Sequence, residues 1–478
     1  MKDSKGITAE KDDFSKWFTE LMIKAELADY TKVSGCIVFK PRAYAMWEKL
    51  VSVVDKEFKK IGIKNAYFPL LIPESLLTKE QQHLKGFNPE VAWVTHAGDK
   101  KLDEKLAVRP TSEAIIYDSY SKWIRSWKDL PLKLNIWNSV VRWEFKHPVP
   151  FLRTREFLWQ EGHNVYSSHE DVTKDRELIL SIYQKFLREY MALPGLIGKK
   201  TDKEKFAGAV DTYTIELLIP NGKAIQGPDY HDDGQNFAKA YNIKYLDKNS
   251  KEQFVHQSTY AITTRMLGVM FAIHSDNKGL IIPPKLLDNQ LVIVPIITKK
   301  DKEKVIRTAR EISKTLSSYN PILDIREDYT PGFKFNEWEL KGIPLRIEIG
   351  PRDIEKKQAI VVKRNDNKKI FIKLSQLKKE IPKILDNIQD ELYSKAESAL
   401  KKATTKADSI EELKLAINKK QIALVPLCKK QECEDIIKEK TNGIKTLNMP
   451  LEQPSLKNKK CIECKQQADY LVYMGKSY

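Results

Sequence analysis

Residues 140–166 read VVRWEFKHPVPFLRTREFLWQEGHNVY, and they restrict the fold more than any other stretch. Large apolar and charged residues alternate in both halves, around a centre that holds Pro148, Pro150, Arg153 and Arg155. Side chains alternate faces along a strand. In the first half Val141, Trp143 and Phe145 share one face, and Val140, Arg142 and Glu144 the other. In the second half Phe157, Trp159, Glu161 and His163 share a face. The simplest assembly is an antiparallel hairpin whose Arg142/Glu144 face adjoins the Trp159/Glu161/His163 face, with Arg153 and Arg155 on a basic loop above. One face then packs on a core while the other gathers both charge signs in a dry setting. A buried ion-pair network is the bland account, but desolvating both ions makes it a poor route to stability. A ligand site fits better. Arginine forks bind phosphate or carboxylate, glutamate receives a cationic amine, and an aromatic wall accepts an apolar ring. The chemistry indicated is a zwitterion plus a polyphosphate.

A chain of 478 residues is too long for a single hydrophobic core. Phe14, Trp17, Phe18 and Leu21 recur at helical spacing, and so do Trp47, Leu50, Val51, Val54, Phe58 and Ile61, with Gly62 placed to cap that second helix. NAYFPLLIP then reads as an edge strand interrupted by Pro69. Between residues 110 and 280 short strands run in series, with one clear helix near 172–191. Strands in series broken by inserted helices indicate an α+β domain with an antiparallel sheet. Near residue 288 the order changes to strand, helix, strand through QLVIVPI, KDKEKVIRTAREISKTL, ILDIRED, PLRIEIG and QAIVVKR, as in a separate small α/β domain. The expected division is 1–288, 289–388 and 389–478.

The excess of 82 Lys+Arg over 65 Asp+Glu, a net charge of +17, suits a polyanionic partner or equally a chain with many solvated lysines. The polar N-terminus lacks the apolar core of a signal peptide, and the longest apolar run, LVIVPII, is far short of a membrane span. A cytoplasmic protein with reduced thiols, not associated with membranes, is expected. Four of the five cysteines lie in the last sixty or so residues, as a C-x4-C pair (Cys428, Cys433) and a C-x2-C pair (Cys461, Cys464). Two short-spaced pairs can supply four thiolates to a tetrahedral zinc, the alternative being four unliganded thiols. Cys36 is left over as a core thiol.

RWE, a loop and RTREFLWQEGH resemble motif 2 of the class II aminoacyl-tRNA synthetases, specifically prolyl-tRNA synthetases of the archaeal and eukaryotic type. GIKNAYFPLLIP is similar to motif 1, with Pro69 its proline. RPTSE at 109–113 is similar to the Thr-x-Glu loop, and is also a helix N-cap sequence at Thr111 or Ser112. AITTRMLGVMFAIHSDNKGLIIPP at 261–284 resembles motif 3, with Arg265 its arginine; alone, such an arginine is more often structural. GKAIQGPDYHDDGQNF at 222–237 resembles the loop between motifs 2 and 3, but Pro228, Asp229 and Tyr230 stand where relatives carry small and hydroxyl residues. His231, Asp232 and Asp233 are residue types that ligate metals, but adjacent strand residues point apart. PGFKFNEWELKGIPLRIEIG resembles the class II anticodon-binding domain, and the cysteine-rich end resembles the C-terminal domain of this synthetase type.

The resemblance implies an α+β catalytic domain with an antiparallel sheet, an α/β anticodon-binding domain and a small α/β C-terminal zinc-binding domain. It implies ATP-dependent activation of L-proline and its transfer to tRNA(Pro), with Mg²⁺ on the phosphates, structural Zn²⁺ on the four cysteines, and a homodimer formed through motif 1. Arg142 and Arg265 would be catalytic. Arg142 would bridge the proline carboxylate and the α-phosphate, while Arg153 and Arg265 hold the outer phosphates and adenine. Thr111, Glu113, Trp159, Glu161, His163, Phe206 and His231 would enclose proline with Arg142. Glu144, Thr154, Phe157, Gln226 and Thr263 complete the ATP-binding set, with Glu144 or Gln226 near the magnesium. In relatives the terminal tyrosine, here Tyr478, folds back towards the active site. The interval between Arg142 and Arg265 is too short for the editing domain that bacterial-type relatives insert, so mischarging with alanine or cysteine is expected. Synthetases of the same subgroup for threonine, glycine or histidine are the neighbouring readings, and WQEGH with the C-terminal cysteines favours proline. A non-catalytic RNA-binding paralogue typically loses motif arginines, and Arg142, Arg153 and Arg265 are all present.

Overall fold

A computed structural model describes residues 6–83, 90–144, 148–298 and 300–478. Its centre is a twelve-stranded sheet with five consecutive antiparallel strands. The strands Leu132–Val141, Glu156–Tyr166, His256–Thr263, Lys223–Gly234 and Asp211–Leu218 pair in that order. The hairpin expected from residues 140–166 is present, with Trp159 opposite Asn138 and Glu161 opposite Ile136. Its first strand ends at Val141, so Arg142 and Glu144 lie beyond the alternating segment. Phe145 lies outside the described residues.

Alternation gives this sheet two buried faces. Gly162 and Tyr166 look towards Tyr260 and Ile262, over which pack the helices Phe14–Lys24, Pro41–Lys60, His169–Glu189 and Arg265–His274. Phe14, Trp17, Phe18 and Leu21 are all buried there, as their spacing requires. Val165 and Ile136 look the other way, onto Tyr117 and Tyr120 of the helix Glu113–Trp123 and Phe237 and Tyr241 of the helix Asn236–Tyr241. The segment NAYFPLLIP is not one strand. It gives two short ones, Lys64–Asn65 and Leu71–Pro73, in different sheets, because Pro69 cannot donate to a ladder.

The second unit is a five-stranded sheet in the order Ile322–Leu323, Leu291–Pro295, Leu345–Ile349, Gln358–Lys363, Lys369–Lys373. The first three are parallel and the last two antiparallel. The helix Leu377–Lys402 leaves it unbroken, so the boundary expected after residue 388 falls inside a helix. The third unit does not stand apart as a separate sheet. Its strand Tyr470–Ser477 pairs in parallel with Lys223–Gly234, and Met449–Pro450 pairs with Leu196–Lys199, so the central sheet continues into the C-terminal region. No helix among the described residues is long and apolar enough to cross a membrane.

Candidate active site

A cavity of ≈ 310 Å³ opens on the sheet face that carries Trp159, Glu161 and His163. Thr111, Glu113, Arg142, Arg153, Thr154, Phe157, Trp159, Glu161, His163, Phe206, Gln226, His231, Thr263 and Arg265 all lie on its wall. Glu144 does not; it is exposed in a turn past the strand end. Arg155 is also off the wall. Its Nη1 donates to the Ser34 carbonyl at 3.0 Å and its guanidinium lies 4.4 Å from the Trp143 ring centre, which turns it away from the position expected above the hairpin. Glu204, Thr212, Asp229 and Thr259 line the cavity and were not expected from spacing.

One end of the cavity is acidic. Glu113 and Glu161 are both buried, and a ligand atom from each lies within 4.8 Å of the other and of His163. His163 Nε2 is 3.1 Å from Glu161 Oε2, and its Nδ1 is 3.2 Å from the Tyr117 hydroxyl. The Thr111 hydroxyl donates to Glu113 and the Ser112 hydroxyl to Glu161. Ser112 does occupy the N-cap position of the helix that follows, but its hydroxyl makes no capping bond there. Burial, reinforced by Glu161 and opposed by His163, pushes the Glu113 carboxyl above its usual range. Among the described residues no lysine or arginine forms an ion pair with either carboxylate. Two carboxylates in such surroundings await a cation.

The side wall is aromatic. Trp159 is fixed by its Nε1 donating to Asn138 Oδ1 at 2.6 Å, and the Phe206 ring lies 4.6 Å from the His231 ring. Burial holds the His231 imidazole below its ordinary pKa, and its Nδ1 is 2.9 Å from the Thr212 hydroxyl. His231, Asp232 and Asp233 do not converge on a metal. Asp232 instead takes His169 Nε2 at 2.6 Å on the far side.

The other end is cationic. Arg142 lies 5.4 Å from the Trp159 ring centre and donates through Nε to the Pro110 carbonyl at 3.1 Å. Arg265, the first residue of its helix, donates to the carbonyls of Leu152 and Gln226 at 3.1 and 3.3 Å. Burial, then the charges of Arg142 and Arg153, pull the Arg265 pKa below the usual guanidinium value. No carboxylate among the described residues lies within ion-pairing distance of Arg142 or Arg265. Asp229, the unusual residue of the 228–230 stretch, is pinned nearby by Gln226 Nε2 (2.9 Å) and the Ala261 amide (3.2 Å). Tyr230 points to the opposite face, where its hydroxyl donates to the Val172 carbonyl at 2.8 Å. Tyr478 reaches this end as well. Its amide donates to the Ala224 carbonyl at 2.9 Å, and burial raises its phenol to about 12 despite the opposing charges of Arg153 and Arg265.

The four clustered cysteines converge, with their sulfurs within 4.8 Å of one another. Cys428 Sγ lies 3.5 Å from Cys433 Sγ and 3.7 Å from Cys464 Sγ. A tetrahedron with metal–sulfur bonds of ≈ 2.3 Å has edges of about 3.8 Å, so the set fits a tetrahedral thiolate site. Cys36 is only partly buried and lies apart from them, not in the core.

Comparisons with known proteins agree with this layout. Residues 93–274 match the tRNA synthetase class II core domain (G, H, P, S and T), residues 290–384 an anticodon binding domain, and residues 410–478 the prolyl-tRNA synthetase C-terminal domain. Over 99% of this chain and 98% of theirs, it is 46% identical to a proline–tRNA ligase of Ruminiclostridium cellulolyticum and 45% identical to proline–tRNA ligase 2 of Bacillus cereus. A proline–tRNA ligase of Lachnoclostridium phytofermentans is 46% identical over the same shares.

Proposed function

The chain belongs to the proline–tRNA ligase family of class II aminoacyl-tRNA synthetases, and on that premise we propose that one cavity activates L-proline with ATP and passes it to tRNA(Pro). The observation that carries this reading is the polarity of the cavity. Among the described residues, Glu113 and Glu161, with no lysine or arginine paired to them, stand at one end, and Arg142 and Arg265, with no carboxylate at ion-pairing distance, at the other. Proline's secondary ammonium meets Glu113 and Glu161, beside His163 and Thr111. Its ring rests against Trp159, Phe206 and His231. Its carboxylate then points at Arg142.

That carboxylate is already ionised at neutral pH, so no general base is needed for its attack on the α-phosphorus. The residues contribute positioning and charge. Arg142 spans the carboxylate and the α-phosphate, holding the reactants in line and stabilising charge on the phosphate oxygens. Arg153 and Arg265 hold the outer phosphates and adenine, with Thr154, Phe157 and Thr263 along the nucleotide. Magnesium bound with ATP would neutralise phosphate charge, and Gln226 and Asp229 would offer it oxygens near that end, whereas Glu144 stands outside.

The four cysteines would hold a structural zinc, tying together the segments around Cys428, Cys433 and Cys461–Cys464. A homodimer forms through the segment around Pro69, where Tyr67, Leu70 and Leu71 are exposed to solvent. The protein works in the cytoplasm, where thiolates remain reduced. Pyrophosphate exchange with each amino acid tests the reading. Proline is expected to drive it and threonine, glycine and histidine are not. No proline-dependent exchange from folded, zinc-loaded protein overturns it.

A further inference from the structure

One of the stretches of cavity wall without regular structure, residues 200–209, brings Glu204 and Phe206 to the site. A loop of that kind has to be held by something. Thr201 opens it by accepting, at its carbonyl, the amides of Glu204 and Lys205 at 3.1 and 3.0 Å. Phe206 closes it, its amide donating to the Thr212 hydroxyl at 2.9 Å.

The core sheet side also holds it, through Lys200 Nζ on Glu216 at 2.6 Å, Asn236 Nδ2 on the Gly208 carbonyl at 2.8 Å and the Phe206 ring against His231, and a second set of contacts comes from the C-terminal region. Glu434 Oε2 accepts from the Thr201 hydroxyl at 3.1 Å and from the Thr446 hydroxyl at 2.7 Å. All three side chains are buried. The exposed flank adds two ion pairs, Lys203 to Asp435 and Lys445 to Glu204, the latter at 2.7 Å. Glu434 directly follows Cys433 in the helix Gln431–Lys440, so the residue gripping the loop is rigidly attached to the cysteine cluster.

Adhesion alone explains this contact poorly. Among the described residues Glu434 has no ion-pair partner, and a buried carboxylate satisfied only by hydroxyls carries a large desolvation cost. Apolar residues would join the two regions at lower cost. A carboxylate oxygen shared by two hydroxyls instead fixes the direction of approach, which a slippery apolar contact does not.

We propose that Glu434 is a positioning residue for the amino-acid pocket: with Lys445 it brackets the 201–206 turn and sets where Glu204 and Phe206 stand on the wall. The identity of the amino acid as proline rests on the function proposed above; the bracket itself does not. Through it the C-terminal region governs the shape of the wall that faces the small substrate.

The test is Glu434→Ala against Glu434→Gln, with Lys445→Ala as a variant at a partly exposed position. Glutamine keeps a single oxygen able to accept from both hydroxyls. Glu434→Ala is expected to raise the KM for proline in pyrophosphate exchange by roughly tenfold or more, as two buried hydrogen bonds are lost. The KM for ATP and the zinc content should stay near wild type. Glu434→Gln should restore proline KM to within about threefold, and Lys445→Ala should raise it by about twofold, in line with a partly exposed pair. Hydrogen exchange at the amides of 204–206 should accelerate in Glu434→Ala while the strand His256–Thr263 stays protected. Equal rises in both KM values without rescue by glutamine would overturn the proposal, leaving Glu434 a folding residue. Unchanged proline KM and unchanged loop exchange would overturn it as well. If wild-type protein shows no proline exchange, the reading of the substrate fails, and the exchange rates of 204–206 still decide on the bracket.

Discussion

Gly162 stands between Glu161 and His163, and its replacement by alanine tests how tightly the site is built. A Cβ at this position would lie 2.0 Å from Cζ, 2.1 Å from Cε2 and 2.5 Å from the hydroxyl of Tyr260. Carbon atoms rest at about 3.5–4.0 Å, so the ring or the strand must give by about 1.5 Å. Neither has room. Tyr260 is 1% exposed, stacked on Tyr230 and set edge-on to Phe58. Gly162 is held by ladder pairing to Tyr260 on one side and Asn135 on the other. Overpacking of this kind costs about 1–3 kcal/mol. Losing the bond between the Tyr260 hydroxyl and Asn164 Oδ1, now 3.2 Å, adds about 1 kcal/mol. A total of about 2–4 kcal/mol, at about 2 °C per kcal/mol for a unit of this size, lowers Tm by about 4–8 °C. Activity should suffer more than stability, because Glu161 and His163 move with the strand. A displacement near 1 Å costs about 100-fold in rate. Thermal melting and proline-dependent pyrophosphate exchange measure the two effects. The double variant Gly162→Ala/Tyr260→Ala should lose less than the sum of its single changes, since one substitution makes the room the other needs. A Gly162→Ala protein with wild-type Tm and exchange rate would refute the reasoning.

Two further outcomes follow from buried groups. Chelation at neutral pH should release about one zinc per chain, measured by metal analysis, and make the 410–478 region sensitive to protease; a metal-free protein as resistant as the native one would count against the thiolate site. Asp233 is fully buried, with Glu113 and Asp232 as its charged neighbours, and burial followed by their charges pushes its pKa well above the ordinary carboxyl value. A raised folded pKa leaves its contribution intact below the unfolded value of about 3.9 and erodes it as pH rises. The Tm advantage of Asp233→Asn over wild type should therefore widen from pH 5 to pH 8; a gap that does not change with pH would contradict this.

Two-residue alternation was enough to put Phe157, Trp159, Glu161 and His163 on one wall, because all four lie within a single uninterrupted strand. It failed three residues beyond a strand end, at Glu144. Arg142 still reaches the cavity, since its amide bonds the Arg155 carbonyl at 2.7 Å and extends the hairpin, but Glu144 does not. Arg155 is claimed by the backbone of Ser34 and Gly35, partners more than a hundred residues away. Likewise the hydroxyls of Thr111 and Ser112 look like helix caps locally and serve carboxylates instead, one of them 49 residues distant. Glu204 carried no signal at all, since TDKEKF has the composition of any solvated loop. The cysteine pairs were legible because thiolate chemistry is written in short spacings.

The parallel pairing of Lys223–Gly234 with Tyr470–Ser477 was the least legible feature and has the widest consequence. A cavity with buried charge of one sign at each end is costly to assemble before its substrates arrive. Packing on both faces of the sheet offsets that cost at the acidic end, where Tyr117, Phe237 and Tyr241 back the carboxylates. At the arginine end Tyr478 does the same, for its amide is held by the Ala224 carbonyl of the central sheet and its ring packs against the main core. The C-terminal region thus touches the site twice, through Tyr478 beside the arginines and through Glu434, which holds Thr201 at the start of the turn that ends at Phe206. Both contacts depend on the fold around the four cysteines, since Cys433 precedes Glu434 and the Cys461–Cys464 turn leads into the terminal strand. A site assembled in this way should lose proline and ATP binding together when the cysteine cluster is disrupted, and proline binding alone when only Glu434 is changed.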